Sequence, residues 1–161
     1  MTRLTLTDQN WQTGTELTTP TSWRGEGTGV AHLEELTVEE SWRLATDTQI
    51  SRIGWTGPRG PVVLPVNHVV HEESLWIRTS AHSSMAEQVD ESAVALLVDN
   101  LDPDTHVGWS VQFKGRAEIL YHEDQIPETV KSLQSWPAGP RPLWVRLHPK
   151  EVTGRRLVAD G

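Results

Sequence analysis

Strand-type segments follow one another through short turns over most of this sequence. In most of them the apolar residues recur at every second position, which is the period of a β-strand with one buried face. The segments are 49–56, 61–71, 74–79, 93–99, 108–121 and 142–157. Consecutive strands joined by short turns favour antiparallel pairing and a small closed barrel over a doubly wound parallel sheet. The sequence therefore predicts a mainly β fold with peripheral helices.

The segment 61–71 is expected near the centre of the sheet. Its sequence, PVVLPVNHVVH, is apolar on both faces, as in a strand that is covered on two sides. Pro65 has no N–H to donate to a neighbouring strand, so we expect a bulge or an unpaired position there. In the long segment 108–121, Gly115 predicts the kind of bend at which a strand turns around a barrel.

Two helices are predicted outside the stretch 74–89, one before the first strand segment and one before the last. Thr37-x-x-Glu40 is a capping box, and it opens a helix that should end near Asp47. Pro127 is suited to the start of a second helix, which would cover 127–136. Both helices are short, so they are expected to lie at the periphery of the sheet.

The stretch 74–89 is the first candidate for a binding site. Residues 74–79 alternate as a half-buried strand, and Ser84-x-x-Glu87 then predicts the capped start of a short helix. A strand that brings Arg78 and several hydroxyl groups to a helix N-terminus can hold an anion such as a phosphate. The alternative is an ordinary strand–turn–helix in which the serines are only caps.

Length and composition limit the classes of function. A chain of 161 residues accommodates one domain, expected at 31–161, and an extension at 1–30 that is flexible or draped over it. The net charge of −8 opposes binding to nucleic acid or to anionic lipid. There is no cysteine, no signal-peptide pattern and no apolar run of membrane-spanning length, so a cytoplasmic protein is expected.

Other site chemistries have little support in the sequence. His68-x-x-His71 lies in a predicted strand, where residues three apart point to opposite faces, so no metal site is expected. The segment 108–112, GWSVQ, lacks the second Gly of a nucleophile elbow. His68 and His82 are candidates for a general acid or base because histidine titrates near neutral pH. The catalytic residue is left unassigned.

Three motifs in a fixed order carry a resemblance to a known family. PVNHVV, then LWIRTSAHSSMAEQV, then GWSVQFKGRAEIL resemble the pyridoxamine 5'-phosphate oxidase-like proteins, in particular the small actinobacterial members with the FMN-binding split β-barrel. The resemblance covers residues 33–157 and leaves out the N-terminal extension. It rests on the order and spacing of the motifs, since none of them is a unique signature.

The resemblance implies a six-stranded antiparallel split barrel, a homodimer, and FMN in a groove at the dimer interface. It also implies which residues contact the flavin. These are Pro65, Val66 and Asn67 beside the ring, Arg78, Thr79 and Ser80 along the flavin, His82, Ser83 and Ser84 around the phosphate, and Trp109 and Ser110, which reach the cofactor from the second subunit in some members.

One position departs from the family pattern. Members that bind FMN commonly carry Lys, or Arg-Lys, where this sequence has Ser83-Ser84. Hydroxyl groups bring no positive charge, and the loss of a charge-assisted contact weakens phosphate binding by about 1 to 3 kcal/mol. Arg78, His82 or a basic residue of the partner subunit is the expected source of compensating charge.

Three hypotheses follow. The leading one is an FMN-dependent oxidoreductase that acts on a small molecule, and the substrate is left unassigned. The second is a non-enzymatic module that binds a flavin, a deazaflavin, haem or another flat ligand on the same dimeric barrel. The third is a dimeric interaction module without a cofactor.

Overall fold

The computed structural model describes residues 31–159, so the predicted extension at 1–30 lies outside the described residues. The strands are β1 Ala31–Leu36, β2 Ile50–Gly57, β3 Gly60–His71, β4 Ser74–Thr79, β5 Ala93–Asp102, β6 Val107–Leu120 and β7 Leu143–Ala159. The helices are α1 Val38–Thr46, α2 Ser84–Gln88 and α3 Glu128–Lys131, with a 3-10 turn at Glu123–Gln125. Within this described part, no helix is both long and apolar enough to cross a membrane.

Six strands close into a ring, which confirms the predicted antiparallel barrel. Their order is β7-β4-β3-β2-β5-β6, and pairing of β6 with β7 completes the circle. The sequence did not predict β1, a seventh strand outside the ring that pairs with the end of β7 from Ala31↔Ala159 to Leu36↔Gly154. Its residues are mostly exposed, Leu33 included, so no apolar alternation marked it as a strand.

Inward-facing residues of the strands fill the barrel. Ile53, Leu96 and Phe113 are fully buried there, as the alternation in the sequence predicted. Helix α1 lies against this core. Its Thr37 capping box and its end at Asp47 form as predicted. Trp42 of α1 packs on Phe113 with ring centroids 4.7 Å apart. The helix therefore covers part of the barrel interior.

Strand β3 is not the doubly covered central strand that was expected. It pairs with β2 from Gly60 to Asn67 and with β4 from His68 to His71, and Val63 and Leu64 are exposed. Among residues 31–159, no strand pairs with the edge of β3 that faces β4 over 60–67. The register with β2 is regular through Pro65, so there is no bulge at this residue. The unpaired position expected at Pro65 is on the opposite edge of β3, which faces away from β2.

The polar backbone groups on this free edge belong to alternate residues. The N–H of His68 donates to the carbonyl of Gln49, the residue immediately before β2, at 3.1 Å, which fixes the alternation along the ladder. The backbone groups of Pro61, Val63, Pro65 and Asn67 consequently point away from β2. The two prolines therefore cost the sheet no hydrogen bond, and they remove two donors from the free edge.

The predicted bend at Gly115 is confirmed. The register between β6 and β7 shifts between Lys114 and Gly115, which leaves Lys150 as an extra residue on β7. A side chain at Gly115 would overlap the carbonyl oxygen of His148 and would lie 2.9 Å from the Cα of Pro149. Only glycine allows the bulged strand to approach this closely.

Two sequence expectations about the outer layer were wrong. The second helix was predicted over 127–136, but α3 ends at Lys131 and an irregular segment continues to β7. Strand β4 was predicted to be half-buried, but both of its faces are covered. The reason is a second apolar cluster outside the barrel, which consists of Trp76, Leu120, Ile126, Val130 and Trp144. A few residues of α3 suffice to cover it.

Candidate functional site

A cavity of about 350 Å³ opens where β3 and β4 diverge. The pairing of these strands ends at His68↔Ile77, and β3 then continues along β2 while β4 turns towards α2. We call this space the split cavity; it is lined by Leu64, Pro65, Val66, Asn67, Arg78, Thr79, Ser83, Met85, Ser135, Pro137 and Arg141. Six of the predicted site residues meet in it, namely Pro65, Val66, Asn67, Arg78, Thr79 and Ser83.

The wall formed by β3 combines an apolar surface with free backbone groups. Leu64, Pro65 and Val66 present apolar side chains, and Met85 of α2 faces the same space. Beside them, the unpaired edge of β3 offers backbone carbonyls and the N–H of Asn67. Such a wall suits a flat ligand that carries hydrogen-bonding groups on its rim.

Two arginines give the cavity positive charge. The guanidinium of Arg78 lies 5.0 Å from the ring centroid of Trp144, and its Nε donates to the carbonyl oxygen of Arg141 at 3.3 Å. The Nε of Arg141 donates to the carbonyl oxygen of Pro137 at 3.5 Å. Within residues 31–159 neither guanidinium forms an ion pair with a carboxylate. Two cations without counter-ions make the split cavity a place for an anion.

The serine pair at 83–84 lies at the N-terminus of helix α2, and Ser83 caps it. The hydroxyl of Ser83 accepts from the N–H of Ala86 at 3.0 Å, donates to the carbonyl of Ser80 at 3.0 Å, and lies 2.7 Å from the hydroxyl of Thr79. Its hydrogen-bonding capacity is therefore used within the protein. Ser83 is the N-cap, so the predicted box of Ser84 with Glu87 was wrong by one residue.

Five predicted contact residues do not line the split cavity, namely Ser80, His82, Ser84, Trp109 and Ser110. The carbonyl of Ser80 is occupied by Ser83, and Ser84 is exposed at the first position of α2. Trp109 and Ser110 lie on β6, opposite Arg156 and Arg155 of β7, and β2 and β5 separate them from β3. Their contact with a cofactor stays a prediction that requires a second subunit.

The two histidines have different environments. His82 is exposed in the turn before α2. His68 is 2% exposed, and its Nε2–H donates to the carbonyl oxygen of Ala45 at 2.9 Å. Burial lowers the pKa of His68, so the ring is neutral near pH 7. Neither histidine lines the split cavity, and residues 31–159 contain no cluster of potential metal ligands.

Sequence reasoning missed Arg141. It lies in the irregular segment before β7, where no periodicity assigns a position to a side chain. The pairing Thr79↔Leu143 brings it beside the end of β4, two residues beyond the ladder. The only available signal was a basic residue immediately before a strand that was predicted to close the barrel. It supplies the second charge that Ser83 and Ser84 lack.

Comparison with known proteins gives consistent matches. A family model described as pyridoxamine 5'-phosphate oxidase matches residues 37–156. The uncharacterized protein Rv0080 of Mycobacterium tuberculosis is 31% identical over 146 residues, which are 88% of this chain and 96% of that protein.

Two solved structures have similar chains. An FAD binding protein from Mycobacterium smegmatis is 25% identical, with a TM-score of 0.61 over 78% of this chain and 98% of its own. An FAD-binding protein from Mesorhizobium loti is 18% identical, with a TM-score of 0.62 over 80% of this chain and 98% of its own. At 18% identity the likeness concerns the fold alone.

Proposed function

The chain belongs to the pyridoxamine 5'-phosphate oxidase family, and from that premise we propose that it binds FMN in the split cavity and acts as an FMN-dependent oxidoreductase on a small molecule. One observation carries the proposal. Arg78 and Arg141 line an apolar cavity without a carboxylate partner in the described residues, although the whole chain has a net charge of −8. An unneutralised pair of cations in an acidic protein is expected where an anionic ligand binds.

The chemistry of the cavity fits both ends of FMN. The guanidiniums of Arg78 and Arg141 would hold the phosphate, since planar fork-like donors match its oxygens. The isoalloxazine ring would lie against Pro65 and Val66, with the free edge of β3 supplying backbone partners for its polar rim. Ser83 would support the site through Thr79 and contribute no direct charge.

We also propose that the working form is a homodimer. Val63 and Leu64 are 64% and 37% exposed, and they lie on the unpaired stretch of β3 beside the cavity. A second subunit over this surface would bury them and would cover the open side of the cavity. Light scattering should give twice the 18.0 kDa of one chain. A monomer at micromolar concentration would contradict the dimer and would leave Trp109 and Ser110 without a role at the cofactor.

When bound, FMN would supply hydride or electron transfer. The residues of the chain would bind and orient it, and the apolar wall of the split cavity would exclude water from one face of the ring. Among residues 31–159 no histidine or carboxylate lines this cavity, so a proton would come from the substrate or from water. We place the protein in the cytoplasm, because a chain without cysteine suits a reducing compartment. We propose neither nucleic acid nor membrane as a partner.

Titration of the flavin-free protein with FMN tests the proposal. Binding should shift the flavin absorption bands and quench its fluorescence, because the ring would leave water for an apolar wall. Spectra that stay identical to those of free FMN, with FMN removed completely by desalting, would contradict it. Parallel titration with FAD decides which flavin is held, since both carry a phosphate that Arg78 and Arg141 could bind.

A binding module without catalytic activity is the second candidate. The absence of an acid or base from the lining of the split cavity favours it, as does the description of the M. smegmatis structure as a binding protein. Anaerobic mixing of the FMN-loaded protein with NADH, NADPH or a reduced deazaflavin distinguishes the two. Bleaching faster than that of free FMN supports the oxidoreductase, and bleaching no faster with any donor supports the module.

A further inference from the structure

A second cavity, of about 340 Å³, lies beside the split cavity. It is bounded by the end of α1, the middle of β3 and the irregular segment after α3. We call it the polar cavity; it is lined by Thr46, Thr48, Gln49, Asn67, His68, Val69, Ser132, Leu133, Gln134 and Trp136. Of the flavin contacts implied by the family resemblance, only Asn67 lies here, and both cavities share it.

The lining contains many hydrogen-bonding groups and no charged side chain. The hydroxyls of Thr46 and Thr48 donate to the carbonyls of Trp42 and Leu44, both at 2.8 Å. They therefore offer only acceptor capacity to a ligand. The side-chain amides of Gln49 and Gln134 and the amide nitrogen of Asn67 have no hydrogen-bond partner in residues 31–159, so donors are available as well. An ion would find no counter-charge here, whereas a neutral polar molecule would find partners.

His68 contributes a buried, unsatisfied nitrogen to the wall of the polar cavity. The residue lines the cavity and is 2% exposed, and its Nδ1, with less than 1 Å² of accessible surface, has no hydrogen-bond partner among residues 31–159. Because Nε2 carries the proton that is donated to Ala45, Nδ1 holds a free lone pair. An unpaired buried acceptor destabilises a protein, so its retention at the wall of a cavity indicates a functional use of that wall.

A thin wall separates the two cavities. Ser135 and Pro137 line the split cavity, whereas Gln134 and Trp136 line the polar cavity. The N–H of Trp136 donates to the Oδ1 of Asn67 at 3.0 Å and so ties this segment to β3. The side chain of Trp136 is 65% exposed, which leaves its indole available for stacking.

We propose that the polar cavity binds a neutral, planar heterocycle with an amide-like edge, and that this molecule is the second reactant beside the flavin. The role as reactant rests on the proposed function, while the binding site itself does not. Planarity follows from stacking on Trp136 against Val69 and Leu133, and neutrality follows from the uncharged lining. The amide-like edge follows from the mixture of free donors and acceptors. Shared Asn67 would place the ligand next to the flavin.

Nicotinamide and nicotinate form a matched pair of probes, because they share a ring and differ in charge. Each is titrated to about 10 mM into the full-length, flavin-free protein while side-chain amide and indole N–H signals are followed by NMR. Nicotinamide should shift the signals of Asn67, Gln49 and Trp136, and nicotinate should bind at least about tenfold more weakly. The site would be overturned by no shift with nicotinamide, by equal binding of nicotinate, or by shifts confined to Arg78 and Arg141.

Two aromatic variants sharpen the test. Trp136→Ala should weaken nicotinamide binding by about tenfold, as expected for the loss of one stacking partner. Tyr121→Ala removes a side chain that is 59% exposed and lines neither cavity, so it should leave binding unchanged. Equal loss in both variants would overturn the stacking role of Trp136. Circular dichroism checks that each variant keeps its fold.

Repetition on the FMN-loaded protein tests the role as reactant. Nicotinamide should then perturb the absorption band of the bound flavin, and an unchanged band despite binding would overturn that role. Failure of FMN to bind with normal nicotinamide binding would overturn the proposed function alone. Normal FMN binding without nicotinamide binding would overturn the polar cavity as a ligand site.

Discussion

Replacement of Arg141 by Ala should weaken FMN binding and leave riboflavin binding unchanged. Riboflavin has the same ring and lacks the phosphate, so the comparison isolates the contact that we assign to this guanidinium. Arg141 is a cleaner target than Arg78, whose side chain also packs on Trp144. The carbonyl of Arg141 that accepts from Arg78 is part of the backbone and survives the substitution.

The magnitude follows from the environment of Arg141. A hydrogen bond to a charged group contributes about 1.5 to 3 kcal/mol, and about 1.4 kcal/mol corresponds to a factor of ten in affinity. The side chain is half-buried, so solvent screening moves the estimate to the lower part of that range. We expect FMN to bind about 10- to 30-fold more weakly to Arg141→Ala.

Fluorescence titration at fixed ionic strength provides the assay. Arg59→Ala is the control, because it removes the same charge from an exposed turn that lines neither cavity. It should shift FMN affinity by less than about twofold. Equal losses for FMN and riboflavin in Arg141→Ala would refute the assignment of the phosphate, and so would an effect of Arg59→Ala as large as that of Arg141→Ala.

Three further predictions concern the scaffold. Gly115→Ala should lower the free energy of unfolding by about 1 to 3 kcal/mol in urea titrations, whereas Gly54→Ala, whose added Cβ would meet its nearest atom at 3.6 Å, should have a smaller effect. Ser83→Ala should destabilise by about 1 kcal/mol through loss of the N-cap, and Ser84→Ala should be near neutral; the reverse order would restore the capping box predicted from sequence. Burial lowers the pKa of His68 from its usual 6.5, so the unfolded chain binds the proton more readily than the folded one. The free energy of unfolding should therefore fall as the pH drops below 6.5, by at most about 1.4 kcal/mol per pH unit. His68→Gln should show a shallower fall between about pH 8 and 5, and an equal slope would contradict a buried neutral ring.

The barrel could be predicted from sequence because its signals are local. Alternation or a continuous apolar run marks each strand of the ring, short turns imply antiparallel neighbours, and Gly115 marks the bulge. The layer outside the barrel could not be predicted in the same way. Trp144 lies in that layer, and its burial depends on a connection that has little periodicity of its own.

The candidate site was predicted only in part, for a related reason. The family resemblance implied that Pro65 and Arg78 contact the flavin, and the strands β3 and β4, which were identified correctly, bring both residues to the split cavity. Arg141 is distant in sequence and irregular in structure, so only the pairing of β4 with β7 brings it there. The cap at Ser83 differs from the predicted one because both serines suit an N-cap, and the backbone decides between them.

Native mass spectrometry of the full-length protein incubated with FMN tests the central claim most directly, because it reports ligand and oligomeric state together. A dimer that carries one FMN per chain is the predicted species, and Arg78→Ala combined with Arg141→Ala should remove the flavin while the dimer persists. Spectra that contain only flavin-free protein after incubation with FMN or FAD would contradict the account.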